Sequence, residues 1–337
     1  MRVRVYCAIF AVGIILGFLL PVSVLLFRTG ALTLALLIAL SFVATSNFRV
    51  VVFAAFFFLL GVLRGSGEII EFRFLEPFVL LLVPIRDAFV TGLNRALPEP
   101  YGSYVAGVMV GVRSNIPREI RDAFRRTGTS HITALSGYNV TIIVEYVGRF
   151  VQYVPVALAA VWMFVLATGA ASSVVRAAIM GSLVSIARAY GENYDTKNAL
   201  WLAASMMIFF VPEILFNDIG FQLSVAATWG LITFVPFFDK KFAYLPRAIR
   251  EALSSTLAAQ IATLPLITYY FGLVSPFSIP ANVFVLPTIP VLMGFGFFAG
   301  IAGYIMPYSA SFIAWPVYLV AAYQLQVIQF FASIHVF

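Results

Sequence analysis

The sequence is short of charge and almost empty of cysteine and histidine. Of its 337 residues only 10% are charged, against 62% hydrophobic. Soluble domains carry roughly 25% charged residues, and a soluble chain this apolar would expose more hydrophobic surface than water tolerates. That shortage excludes a soluble globular domain and places the chain among polytopic membrane proteins. Cys7 stands alone, which excludes an internal disulfide and a cysteine metal cluster. His131 and His335 are far apart in the chain, and no His/Asp cluster has the spacing of metal ligands. A P-loop, a dinucleotide fingerprint and an HExxH helix are all missing. The sequence therefore offers no metal site, no cofactor site and no evident catalytic site, and it reads as something other than an enzyme.

What charge there is leans positive, at +7. Apart from Lys197, Lys240 and Lys241 the basic residues are all arginine. Part of this is positive-inside bias. A basic membrane protein also suits an anionic cargo or anionic headgroups. The start of the chain, MRVRVYCAIFAVGIILGFLL, has a basic end and an apolar run, but no small-residue cleavage site, and more spans follow. It reads as a retained first span.

A span needs roughly 20 apolar residues. Residues 5–27, 31–44 and 50–63 form a first group, and 65–76 is a polar connection. Residues 77–97 carry Arg86, Asp87, Asn94 and Arg95 and read as a helix lying at the interface. Residues 101–112 are apolar but too short to cross. At 117–126, Pro117 suits a first helical position. Ile120, Ala123 and Phe124 fall on one side, and Arg118, Arg121, Arg125 and Arg126 supply charge. The later candidates are 131–147, 154–170, 174–190, 199–211, 219–235, 253–271, 279–303 and 312–334. The expected fold is an all-α integral membrane bundle of about eleven transmembrane helices, with kinked or re-entrant segments and interfacial amphipathic helices. Arg2 and Arg4 favour a cytoplasmic N-terminus. An odd first group would then put the arginines of 65–126 outside, so either the count differs or those arginines serve more than topology.

Four clusters stand out. In the first, His131, Ser136, Gly137, Tyr138 and Asn139 interrupt an apolar run. Ser-Gly there marks either a discontinuous helix bordering a polar path or a packed span whose polar groups bond to neighbours. A His131–Ser136 dyad is disfavoured, because five residues of helix place the two about 140° apart. In the second, Arg176 lies beside a stripe of Ser173, Ala177, Gly181 and Ser185, where another helix can approach closely. A buried Arg176, facing anionic cargo or paired with an acid, is favoured over one that snorkels. In the third, Asp218 and Gln222 share a helical face. Asp218 reads as an N-cap or as the partner of Arg176. In the fourth, Gln260 precedes Pro265, which kinks its span, and Asn282 sits among Pro280, Pro287 and Pro290.

Three stretches together resemble the ComEC family of bacterial DNA-internalisation channels. Residues 111–140 look like its signature, a basic helix ending in Phe-Arg-Arg-Thr-Gly before Ser-His and a Ser-Gly turn. Residues 173–231 resemble its Val-Arg-Ala span followed by Gly-Phe-Gln-Leu-Ser. Residues 258–292 resemble its Gln-x-Ala-Thr-Leu-Pro segment and the Ala-Asn ahead of a proline-rich span. The chain departs from the family at Tyr138-Asn139, usually Leu-His, and at Val112, often Asp. It leaves no room between residues 63 and 77 for the external oligonucleotide-binding domain, and it stops before the metallo-β-lactamase-like domain.

The resemblance implies N-terminal transmembrane helices over 1–76, interfacial helices over 77–127 and a competence-type channel domain over 128–337. It implies a multi-pass protein of the bacterial cytoplasmic membrane that passes single-stranded DNA. A separate nuclease, a DNA receptor and a cytoplasmic ATPase would be its partners. Arg113, Arg118, Arg121, Arg125 and Arg126 would form a basic mouth. His131, Ser136, Gly137, Tyr138, Asn139, Arg176, Asp218, Gln222, Gln260 and Asn282 would be candidates for the path. A transporter or scaffold for an anionic small molecule or lipid is the rival reading.

Overall fold

Proline and glycine punctuate the apolar runs, and helices start and stop at them. A computed structural model describes residues 9–12, 76–151, 153–191, 194–272 and 275–334. The first group of expected spans, the polar connection before Glu76 and His335 lie outside the described residues, apart from a helical turn at 9–12. The described helices are α1 (Glu76–Ala96), α2 (Tyr101–Val110), α3 (Arg118–Arg126), α4 (Gly137–Phe150), α5 (Val154–Ala167), α6 (Ser172–Ala189) and α7 (Thr196–Phe210). After them come α8 (Ile214–Asn217), α9 (Ile219–Lys241), α10 (Arg247–Phe271), α11 (Ser278–Val285), α12 (Ile289–Ile305) and α13 (Ala310–Ser333). Among the described residues there is no strand.

Pro100, Pro117 and Pro246 stand just ahead of α2, α3 and α10. There a fixed φ and a missing N–H do no harm. Pro117 thus precedes its helix rather than opening it. Gly111 and Gly272 end α2 and α10 in the left-handed conformation, at φ 77° and 66°.

Four helical stretches among the described residues are long and apolar enough to cross a membrane: Ser172–Ala189, Ile219–Lys241, Ser278–Ile305 and Ala310–Ser333. The other expected spans within the described residues form shorter or more polar helices. The segment expected at 131–147 becomes helical only at Gly137, because residues 127–136 form turns. Hydroxyls hold those turns to local carbonyls: Thr127 donates to Ala123 at 2.8 Å and Thr133 to Ser130 at 3.2 Å. The span expected at 279–303 is divided into α11, a 3₁₀ turn at Leu286–Thr288, and α12. By contrast α10 runs through Pro265 without interruption. The break in this region falls at Pro287, not at Pro265.

The packing is built on small residues. The predicted stripe on α6 receives α4: a Cβ on Gly181 would come 2.9 Å from Val144, and one on Gly137 would come 3.6 Å from Ala177. α1 and α12 approach even closer at Gly92, Gly300 and Gly303, where any side chain would overlap the facing backbone or Phe89. One core cluster joins Leu93, Tyr104, Val105, Phe124, Leu292 and Leu325. A second joins Met180, Leu200, Met207 and Phe221 across α6, α7 and α9. A third, including Leu135, Val140, Val165 and Val174, seats the start of α4 between α5 and α6.

Gly303→Ala is expected to cost at least about 1–3 kcal/mol through backbone overlap. Gly148, with nothing within 4 Å of its Cβ position, should accept Ala at no cost or with a gain of up to about 1 kcal/mol. Melting temperatures of the two variants in the same detergent check this; equal melting would contradict the close α1–α12 crossing.

Candidate functional site

The basic helix is docked by its apolar side. Ile120, Ala123 and Phe124 are buried, and the Phe124 ring stacks on Tyr104 at 5.7 Å. Arg118, Arg121, Arg125 and Arg126 are exposed, as is Arg113. Among the described residues the recorded ion pairs are Arg86–Asp87 and Arg247–Glu251, so these five guanidinium groups face outward without a carboxylate. Arg125 and Arg126 also occupy the last turn of α3, where the helix dipole favours positive charge. The far end of α3 is anchored: Ser275 donates to the Arg126 carbonyl, and Gly128, at φ 65°, turns the chain against Ser275 and Ser278. Arg113 Nε donates to the Thr133 carbonyl at 3.0 Å, tying the loop after α2 to the turns that follow α3.

Those turns lead into the interrupted segment, where the polar residues meet neighbours from three helices. Asn139 is only 2% exposed, and its Nδ2 donates to the Val108 carbonyl of α2 at 2.8 Å. Ser136 Oγ donates to Asn139 Oδ1 at 3.1 Å rather than pairing with His131. Ser173, on α6, donates to the Leu135 carbonyl at 3.0 Å. Arg176 is buried beside the start of α4. Its Nε donates to Ser224 Oγ of α9 at 2.8 Å and its Nη1 reaches Met180 Sδ at 3.4 Å. Ser136, Gly137, Asn139 and Arg176 therefore form one cluster. Tyr138, 44% exposed, and His131, also exposed, make no side-chain hydrogen bond to it among the described residues.

The remaining candidates lie elsewhere. Asp218 caps α9 through the Phe221 N–H at 2.9 Å. No salt bridge joins it to Arg176 among the described residues, which corrects the pairing suggested by the sequence. Arg176 takes the hydroxyl of Ser224, six residues further along, instead. Gln222 bridges the Leu215 carbonyl at 2.9 Å and the Tyr270 hydroxyl at 2.8 Å. Gln260 Oε1 and Asn282 Oδ1 are buried acceptors with no hydrogen-bond partner, on α10 and α11.

Sequence reasoning missed two features. Ser224 was part of a noted motif, but nothing local marks it as the arginine's partner. Tyr104 Oη, Gln324 and Thr288 form a buried chain of bonds at 2.7 and 2.6 Å that braces the broken entry to α12. Glutamines in an apolar helix, Gln324 with Gln326 and Gln329, were the available signal. A cleft of about 300 Å³ between α7 and α9, lined by Trp201, Phe221, Val225 and Trp229, was also unforeseen.

The sequence profile of the family described as Competence protein matches residues 108–337, and the chain belongs to that family. Among curated proteins it is similar to ComE operon protein 3 of Bacillus subtilis (strain 168), with 27% identity over 249 residues, covering 70% of this chain and 31% of that protein. It is also similar to the uncharacterized protein YcaI of Escherichia coli (strain K12), with 21% identity over 252 residues, covering 68% of this chain and 33% of that one. The chain thus spans about a third of the length of the curated relatives it matches. No solved structure matches it. Every residue of the cluster and the basic helix lies inside the matched family region.

Asn139→Leu should destabilise the fold by about 1–3 kcal/mol, because the buried Val108 carbonyl loses its donor. Tyr138→Phe, at an exposed position, should stay within about 0.5 kcal/mol of the unaltered chain. Thermal unfolding of both variants in detergent decides it, and an unshifted Asn139→Leu would contradict the α2–α4 tie.

Proposed function

We propose that this chain is the membrane conduit of a DNA-uptake apparatus and passes single-stranded DNA across the bacterial cytoplasmic membrane. The observation that carries the reading is the exposed, unpaired arginine face of α3, anchored beside an interrupted helix with a buried arginine behind it. Membership of the Competence family and likeness to a ComE operon protein support it.

The physics of the cargo sets the requirements. A nucleic-acid strand carries one negative charge per nucleotide and cannot enter hydrocarbon bare. It needs a basic entrance, which also speeds capture, and a path whose polar groups replace water. Arg113, Arg118, Arg121, Arg125 and Arg126 collect the backbone at the mouth. The Ser136–Asn139 break and Arg176 line the path in this reading, and the unpartnered acceptors of Gln260 and Asn282 are further groups for the strand. A nuclease, a DNA receptor and a cytoplasmic ATPase of the uptake apparatus are its partners in this reading. The interfacial stretch 77–127 then presents the cargo to the channel stretch 128–337.

One feature favours a second reading, transport of an anionic lipid or small molecule. The tryptophan-lined cleft between α7 and α9 adjoins a smaller one that includes Lys197. The two readings differ at α3. Replacing Arg125 and Arg126 together by Gln should cut labelled-DNA internalisation roughly tenfold at unchanged protein level, through two lost phosphate contacts. Normal uptake by a folded double variant would overturn the assignment of the mouth.

A further inference from the structure

The break ahead of α4 sets two positive ends against each other. Ser136 is the N-cap residue of α4 but makes no capping bond, since its hydroxyl is engaged with Asn139. The N–H groups of Gly137, Tyr138 and Asn139 have no acceptor among the described residues. Such a terminus carries about half a positive charge. Arg176, only 6% exposed, is aimed at it: Nη2 lies 2.6 Å from where a Cβ on Gly137 would sit. Nε and Nη1 have neutral partners in Ser224 and Met180, and Nη2 makes no hydrogen bond among the described residues. Among the described residues no carboxylate forms an ion pair with the guanidinium.

A guanidinium and an uncapped helix N-terminus repel each other, and an anion lodged between them satisfies both at once. We infer that Gly137 and Arg176 form an anion site that holds one phosphodiester of the cargo strand. The inference rests on the conduit reading for the identity of the cargo. One non-bridging oxygen accepts from Arg176 Nη2, and the other accepts from the amides that open α4. Gly137 is required because any side chain there takes the space of the guanidinium. With a single cation in the site, each phosphate is held well enough to enter and loosely enough to leave.

The test uses the full chain in phosphatidylcholine nanodiscs. Melting temperature is recorded with and without dimethyl phosphate, and binding of fluorescein-labelled oligothymidylate is followed by anisotropy across a salt series. Gly137→Ala displaces only the flexible end of the Arg176 side chain, so this variant folds. Arg176→Gln removes the charge. Dimethyl phosphate should stabilise the unaltered chain and neither variant. Both variants should bind oligothymidylate about tenfold more weakly, with a salt slope smaller by about 0.7. Equal stabilisation of all three proteins by dimethyl phosphate overturns the anion site, even where the unaltered chain binds oligothymidylate. Stabilisation confined to the unaltered chain, with no oligothymidylate binding, supports the site and overturns the conduit. In phosphatidylglycerol nanodiscs, loss of the dimethyl phosphate effect together with oligothymidylate affinity indifferent to Gly137→Ala would make the occupant a lipid headgroup and overturn the strand.

Discussion

A helix that stops inside an apolar bundle leaves N–H and C=O groups that only protein can satisfy. Around residues 127–139 this constraint organises everything nearby. Thr127 and Thr133 hold the turns, Ser173 takes the Leu135 carbonyl, and Asn139 reaches across to Val108. The start of α4 is thereby fixed to α2 and α6, and the basic helix α3 is fixed beside it. At the second break, Thr288 is held by Gln324, which is held in turn by Tyr104. Since Tyr104 also stacks on Phe124 of α3, the two interruptions share one buried frame.

Charge follows from that frame. The amides at the start of α4 are the part of the first break left open, and the one buried cation of the cluster is directed at them. Helices close in on this point through glycine and serine. The guanidinium's neutral partners hold its position without cancelling its charge. The exposed arginines of α3 carry the same sign outward. A surface and an interior of matching sign, joined through a break, are arranged for something negative.

Much of this was legible in the sequence because the signals are periodic or local. The amphipathic pattern at 117–126 gave the buried side of α3, the four-residue spacing of Ser173, Ala177 and Gly181 gave a close helix seam without its partner, and Asp218 before an apolar run gave a cap. Ser136-Gly137 left a break and a packed span equally open, and the structure begins the helix at Gly137 while bonding Ser136 and Asn139. What was not legible depends on tertiary packing. Two prolines look alike in sequence, yet α10 absorbs Pro265 while the chain changes helix type around Pro287. A neighbouring helix decides which freed groups find partners. Asp218 was an attractive partner for Arg176, but its carboxylate was already engaged by the Phe221 N–H. The Ser224 hydroxyl, six residues on, was the group within reach.

The central claim is that this chain carries DNA across a membrane. The most direct measurement is accumulation of radiolabelled DNA in a nuclease-resistant, intracellular form, compared between a strain deleted for this chain and the same strain with the chain restored. The account predicts normal surface binding in both strains and internalised single strands only where the chain is present. Equal internalisation in the deleted strain would contradict it.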